Sequence, residues 1–288
     1  MIKMKIYTVE AGNFKLDGGA MFGVVPKSLW QRTNPADANN MIEMASRCLL
    51  IEDSERLMLI DTGMGNKQSE KFFSYYYRWG DFNLVSSINK LGFSCDDVTD
   101  VFLTHLHFDH CGGGTVWSKN KKFLAPLFKN ATYWSNNDHW ALACKPNYRE
   151  KASFLSENLS PLSESGQLRF VPTHKSGFKH NSDLGLEILF VSGHTDHQMI
   201  PKITYKNKTI IFAADLIPTA GHIPIPYIMS YDTRPLLSMD EKSDFLNGAV
   251  EENYFLVLEH DPHNEVITLK KSDKGIRLDQ TFKFKDVF

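Results

Sequence analysis

An α/β layered sandwich is the fold class that this sequence predicts. Three observations carry the prediction: short apolar, β-branched runs recur in both halves of the chain, helix-periodic segments stand between them, and no internal repeat or low-complexity tract interrupts the pattern. The chain has 288 residues, enough for one large core or two small ones, and without a Pro/Gly/Ser linker residues 1–288 read as a single domain.

The opening MIKMKIYTVE alternates like a half-buried strand. Residues 16–30 (LDGGAMFGVVPKSLW) combine glycines with apolar side chains that look exposed, which predicts a hairpin. In 47–63 (RCLLIEDSERLMLIDTG) two apolar runs flank the polar turn Glu52-Asp53-Ser54-Glu55-Arg56, a further hairpin that Gly63 closes. Over 69–91 the residues Phe72, Phe73, Tyr76, Leu84, Val85, Ile88 and Leu91 keep helical spacing, with Gly80-Asp81 dividing two helices. A buried strand is predicted at 98–104 (VTDVFLT), and later ones at 168–171, 186–191, 203–205, 209–213, 255–258 and 266–270. In 238–253 (SMDEKSDFLNGAVEEN), Glu241 follows Ser238 at the capping-box spacing of a helix start.

Composition narrows the function. Lys and Arg (32) nearly balance Asp and Glu (34), a net charge of −2 that lacks the basic stripe a nucleic-acid partner requires. The start has no apolar run of about 7–15 residues such as a secretory signal carries, and nowhere do about 18 apolar residues run together. A cytoplasmic protein without a membrane partner is therefore expected. Cys48, Cys95, Cys111 and Cys144 lie far apart with no CxxC spacing, which signals neither a disulfide framework nor a thiolate zinc site.

The eleven histidines are the unusual feature, through their placement. Residues 104–114 read Thr-His-Leu-His-Phe-Asp-His-Cys-Gly-Gly-Gly, with three imidazoles and a carboxylate inside six positions at the end of a predicted buried strand. Imidazole is costly to bury without a partner, so core packing does not explain this density and metal ligation does. Period-two alternation lets His105 and His107 point to one side, whereas the adjacent Asp109 and His110 point elsewhere and suit a second ion. The three glycines give the backbone freedom to turn tightly beneath. Cys111 reads as a small packing residue and His197 as a structural one.

The stretch resembles the HxHxDH signature of the metallo-β-lactamase superfamily, and the remaining ligands of that family find matches in order: His194 in Ser-Gly-His-Thr, Asp215 in Phe-Ala-Ala-Asp and His260 in Leu-Glu-His-Asp. The resemblance implies a four-layer αββα sandwich over nearly the whole chain. It also implies one metal on His105, His107 and His194, a second on Asp109, His110 and His260, and Asp215 bridging them. Leu59-Ile60-Asp61-Thr62-Gly63 matches the strand end where the family's Asp braces the metal loop by hydrogen bonding. Nitrogen and oxygen ligands suit two divalent ions, zinc first, with iron, manganese or cobalt compatible.

Two such ions share a water and lower its pKa to about 7, so the expected activity is hydrolysis, a metal-bridging hydroxide attacking a small ester or lactone while Asp109 moves the proton. The segment 16–30 resembles the flap of the lactonase and phosphotriesterase branch, which makes Met21, Phe22 and Trp30 candidates for an apolar substrate wall. In 216–232 (LIPTAGHIPIPYIMSYD), a second candidate wall, His222 and Tyr227 are the polar candidates. N-acyl-homoserine lactonases often carry a Tyr three residues after the bridging Asp, where this chain has Pro218. A lactonase-like hydrolase with promiscuous phosphotriesterase activity is the leading expectation. The alternatives are an iron-dependent redox relative of the sulfur-dioxygenase kind and, behind it, a β-lactamase or a glyoxalase II-like thioesterase. The aromatic cluster 72–79 (FFSYYYRW) exceeds what one helix face buries and serves either a homodimer contact or a substrate-side lid.

Overall fold

The computed structural model describes residues 4–54 and 56–288. Residues 1–3 of the predicted first strand, and Glu55 of the predicted 52–56 turn, lie outside the described residues. Two compact units make up the chain, one from the residues up to Phe14 with Ser46–Thr173, the other from Lys15–Ala45 with His174–Phe288.

A six-stranded sheet lies mainly in the first unit. Its strands are β1 (Lys5–Asp17), β2 (Met41–Asp53), β3 (Arg56–Ile60) and β4 (Asp100–Phe102), and, beyond the small β5 (Thr115–Trp117) and β6 (Leu124–Pro126) hairpin, β7 (Thr132–Asn136) and β8 (Leu168–Val171). Their order across the sheet is β1-β2-β3-β4-β7-β8. β2 and β3 form the antiparallel hairpin expected from 47–63, with Leu50 opposite Leu59. From β3 onward the pairings turn parallel. A parallel strand requires a crossover, and the helices Leu84–Lys90 and Ser156–Glu164 lie in those connections. Leu50, Leu59, Val101, Leu103, Ile88 and Leu162 meet in the core of this unit. The predicted break at Gly80-Asp81 stands between helices Glu70–Ser74 and Leu84–Lys90, and Gly80 adopts φ 71° there.

The second unit carries a seven-stranded sheet in the order β15-β14-β13-β12-β11-β10-β9. These strands are β9 (Lys179–Asn181), β10 (Leu186–Val191), β11 (Gln198–Tyr205), β12 (Lys208–Phe212), β13 (Phe255–Val257), β14 (Val266–Ser272) and β15 (Gly275–Phe282). β12 and β13 pair in parallel, the other strands antiparallel. Helix Pro235–Glu251 packs on β14 and β15. It begins three residues before the expected cap. Pro235 sits at its first position, where the missing N–H costs nothing, so Ser238 is interior and buried. Glu241, freed from capping, accepts from the backbone N–H groups of Ser192 (2.7 Å) and Gly193 (2.8 Å).

The expected hairpin over 16–30 is instead two short helices, Gly18–Phe22 and Lys27–Trp30. Asp17 starts the first by accepting from the Ala20 N–H at 2.8 Å, and Pro26 precedes the second. Among the described residues, no helix is long and apolar enough to cross a membrane.

The glycine run after the histidine cluster is needed for close approach, not for positive φ. A Cβ on Gly112 would lie 2.3 Å from the Met64 carbonyl oxygen, and one on Gly113 would lie 2.1 Å from that of Thr62. Gly113→Ala is therefore expected to destabilise the protein by about 1–3 kcal/mol, the range for overpacking. Thermal unfolding beside the wild type measures it, and an unchanged midpoint would contradict the packing described.

Candidate metal centre

Every candidate ligand follows the C-terminal end of a strand, the end at which open α/β sheets gather their ligands. In the first unit, β4 delivers the motif and β3 delivers Asp61. After β4 the chain bends at Thr104 and again at His107, then coils into the helical turn Phe108–Cys111, which carries Asp109 and His110. The rings of His105 and His107 stand 4.6 Å apart and those of His105 and His110 3.9 Å apart.

Asp61 is wholly buried with φ 56°. Its carboxylate accepts from the Thr104 N–H (2.8 Å), the Thr104 hydroxyl (2.6 Å) and the His110 Nδ1–H (3.0 Å). Thr104 Oγ1 in turn lies 3.1 Å from His105 Nδ1. With its proton committed to Asp61, that hydroxyl accepts from His105. Thr62 closes the arrangement by donating its N–H (2.7 Å) and its hydroxyl (2.9 Å) to the His110 carbonyl.

In the second unit His194 follows β10, Asp215 follows β12 and His260 follows β13. The two carboxylate oxygens of Asp215 face different imidazoles: Oδ2 is 3.1 Å from His194 Nε2, and Oδ1 is 3.1 Å from His260 Nε2. Behind them, His194 Nδ1 lies 3.0 Å from Asp232 Oδ1, and His260 Nδ1 donates to the Ala45 carbonyl at 2.8 Å. Burial disfavours a charge on His194, but the carboxylates of Asp215 and Asp232 outweigh it and raise the ring to about 10. Buried imidazoles with Nδ1 anchored, together with a carboxylate shared between two of them, are a donor set that fits divalent metal ions.

Other residues adjoin the centre without any sequence signal. His139 Nε2 accepts the N–H of Leu106, between the two leading histidines, at 2.9 Å. Glu150, buried, brings its Oε1 to 3.6 Å from His107 Nε2. Lone polar residues in a helix and a loop offered no spacing to read. Phe108, inside the motif, packs with Phe72 (5.3 Å between centroids) and Tyr76 (4.9 Å), tying two members of the aromatic cluster to the metal loop. Tyr75 and Tyr77 from the same cluster are exposed. Cys111 is buried, its thiol donating to the Leu106 carbonyl and pushed up to about 12 by burial, and His197 takes φ 58° with its N–H on Ser192 Oγ.

The candidate substrate residues fare differently. Met21, Phe22 and Trp30 are buried instead of exposed: Phe22 stacks on Trp30 at 5.3 Å and on His222 at 4.3 Å, because short helices turn these side chains into their own unit. His222 has both ring nitrogens engaged, Nε2 donating to the Met21 carbonyl and Nδ1 accepting from the Thr219 hydroxyl, each at 2.8 Å. Burial lowers it to about 4, so it is neutral and serves as a brace. Tyr227 is half-buried, edge-on to Phe22.

Lys242, buried on helix Pro235–Glu251, donates to the carbonyls of His222 (2.9 Å), Pro224 (3.0 Å) and Tyr227 (2.8 Å). Burial pushes it down to about 7, yet three acceptors match the three protons of an ammonium. Lys242→Met is expected to cost about 1–3 kcal/mol, since buried carbonyls lose their donor. Chemical denaturation would register this, and equal stability would remove the clamp from the account.

Known proteins resemble this chain in sequence and in fold. The profile of the metallo-β-lactamase superfamily matches residues 42–260. An N-acyl homoserine lactonase of Bacillus cereus is 24% identical over 230 residues, covering 75% of this chain and 76% of that protein. The lactonase AiiB of Agrobacterium fabrum is 25% identical over 147 residues, covering 47% and 52%. A probable metal-dependent hydrolase from Staphylococcus aureus superposes with a TM-score of 0.85 at 27% identity, over 97% of this chain and 96% of that one. AidC, described as a dizinc quorum-quenching lactonase, shares the fold with a TM-score of 0.76 at 22% identity, over 97% and 95%. The α/β fold is that of these proteins, and the chain belongs to the metallo-β-lactamase superfamily.

Proposed function

We propose that this metal-dependent hydrolase opens a small lactone or cleaves a small ester, with N-acyl-homoserine lactones as the leading substrate class and phosphotriesters as a promiscuous one. The two units work as one hydrolase domain. His105, His107 and His194 would hold one divalent ion and Asp109, His110 and His260 the other, with Asp215 between them; all seven side chains are buried. Zinc is the first choice of metal. The observation that carries the reading is the Asp215 carboxylate with one oxygen turned to His194 and the other to His260, the disposition that a bridge between two ions needs. The named lactonases among the relatives support the substrate class.

Two divalent ions held there would supply Lewis acidity, toward water and toward the substrate carbonyl. The chain does the rest. Asp61 and Thr104 fix the imidazoles of His105 and His110, and Asp232 fixes that of His194. Asp109 passes a proton to the leaving oxygen. Phe72, Tyr76 and Phe108 offer an aromatic surface beside the motif for the apolar part of the substrate, the lid side of the two roles open to that cluster. Pro218 supplies no hydroxyl, so polarisation of the carbonyl rests on the metals.

A panel of acyl-homoserine lactones, aryl esters, a phosphotriester and a β-lactam tests this with metal-loaded protein. Lactones and esters are expected to lead; a β-lactam alone being turned over would overturn the substrate class, and stoichiometric iron with oxygen consumption would overturn hydrolysis. Chelation is expected to abolish turnover and zinc to restore it. Asp109→Asn is expected to lower kcat about 10²–10⁴-fold, the range for a lost proton-transfer group. Full turnover by that variant with both metals bound would remove the role given to Asp109.

A further inference from the structure

Beside β1, the first unit holds a cavity of about 360 Å³, within the range of about 300–1,000 Å³ typical of small-molecule sites. None of the seven candidate metal ligands lines it, nor do Phe72, Tyr76 or Phe108. Trp79, Phe82, Leu84 and Val85 give it apolar walls, and among the described residues Arg78 is its one ionisable lining group. Trp79 is fixed there, donating its N–H to the Asn13 carbonyl and its indole N–H to the Phe14 carbonyl, each at 3.1 Å. The Arg78 guanidinium lies over the Phe73 ring, its carbon 3.5 Å from the centroid. Asp81, three positions on, neither lines the cavity nor pairs with it. Burial without an acidic partner lowers Arg78 from the usual range, yet a guanidinium keeps its charge. Stacking occupies its face and leaves the fork of N–H donors at its edge for a planar anion. Asn13 lines the same cavity; it is 6% exposed, and its side chain has no hydrogen-bond partner among the described residues. Asn83 commits its side-chain oxygen to the Ser86 N–H at 3.2 Å, which leaves its amide N–H groups as further donors.

We propose that this cavity binds a monocarboxylate with an apolar tail, the carboxylate on Arg78 and Asn13 and the tail against Trp79, Phe82 and Val85. Donors without acceptors at one end and apolar walls beside them match the two halves of such a molecule. A buried amide without a partner is costly, and an accepting carboxylate removes that cost. One guanidinium balances one carboxylate, whereas a phosphate monoester brings close to two negative charges near neutral pH. Two sources supply this chemistry, a fatty acid and the ring-opened acid that hydrolysis of an acyl lactone releases.

Calorimetric titration of the zinc-loaded protein with sodium octanoate tests the proposal. Wild type is expected to bind it and Arg78→Gln to bind it about 10–100-fold more weakly, the loss that follows removal of a charged hydrogen bond. Octan-1-ol, with the same tail and no charge, should bind wild type more weakly by a similar factor. The indole N–H resonance of Trp79, identified by its loss in Trp79→Phe, should shift as octanoate is added and stay in place with acetate, which has no tail. A parallel titration with ring-opened N-hexanoyl-homoserine ranks the two sources, the tighter ligand being the occupant. Absence of octanoate binding, octan-1-ol binding as tightly as octanoate, or an unmoved Trp79 resonance would each overturn the proposal. So would octanoate binding by Arg78→Gln within twofold of wild type, the result expected of a carboxylate held only at the metals. Arg78 is exposed, so its replacement leaves the core intact. Neither readout uses turnover, and both stand whether or not lactones and esters prove to be substrates.

Discussion

The hydrogen bonds converging on Asp61 are the constraint on which the rest of the structure depends. A carboxylate excluded from water must have its oxygens satisfied, and Asp61 meets this through Thr104 and His110, groups on either side of the histidine motif. Its left-handed backbone, tolerated by Asp better than by most residues, turns the side chain from the end of β3 toward the end of β4. Two neighbouring parallel strands are thereby locked at the end where the histidine motif leaves β4. The adjacent Thr62 carbonyl sits so close to Gly113 that only glycine fits.

The second unit solves the same problem with different groups. Asp215 stands between two imidazoles whose far nitrogens are fixed by a carboxylate in one case and a backbone carbonyl in the other. Orientation there costs one acidic residue, Asp232, where the first unit uses an Asp-Thr pair. Left-handed backbone recurs beside this ligand too, at Ala214 with φ 41°. Strained conformations of this kind persist only where surrounding contacts over-determine them, and they collect at functional sites.

What the sequence disclosed follows the physics of each signal. Imidazoles packed at that density have no structural explanation, so the motif stood out by itself, whereas its distant partners were named only through the family resemblance. Strands β8 and β10 were legible to the residue because their apolar runs are bounded by turn residues. Residues 16–30 misled, because the same apolar side chains serve a flap or a core, and composition does not say which way a short helix will turn them. The capping-box spacing at Ser238 was outcompeted by a proline better suited to a first helical position. His139 and Glu150 were illegible because a lone polar residue acquires meaning only from the chain folded against it. Each of the two units is assembled from separated stretches of sequence, so neither shows as a continuous run of residues.

The Lys242 clamp grips residues 222–227 solely through carbonyl oxygens, the part of a residue common to every amino acid. Side chains along that loop can change without loosening its anchor. The arrangement uncouples where the backbone sits from which side chains it carries, so this stretch can vary in sequence while its three main-chain hydrogen bonds stay in place.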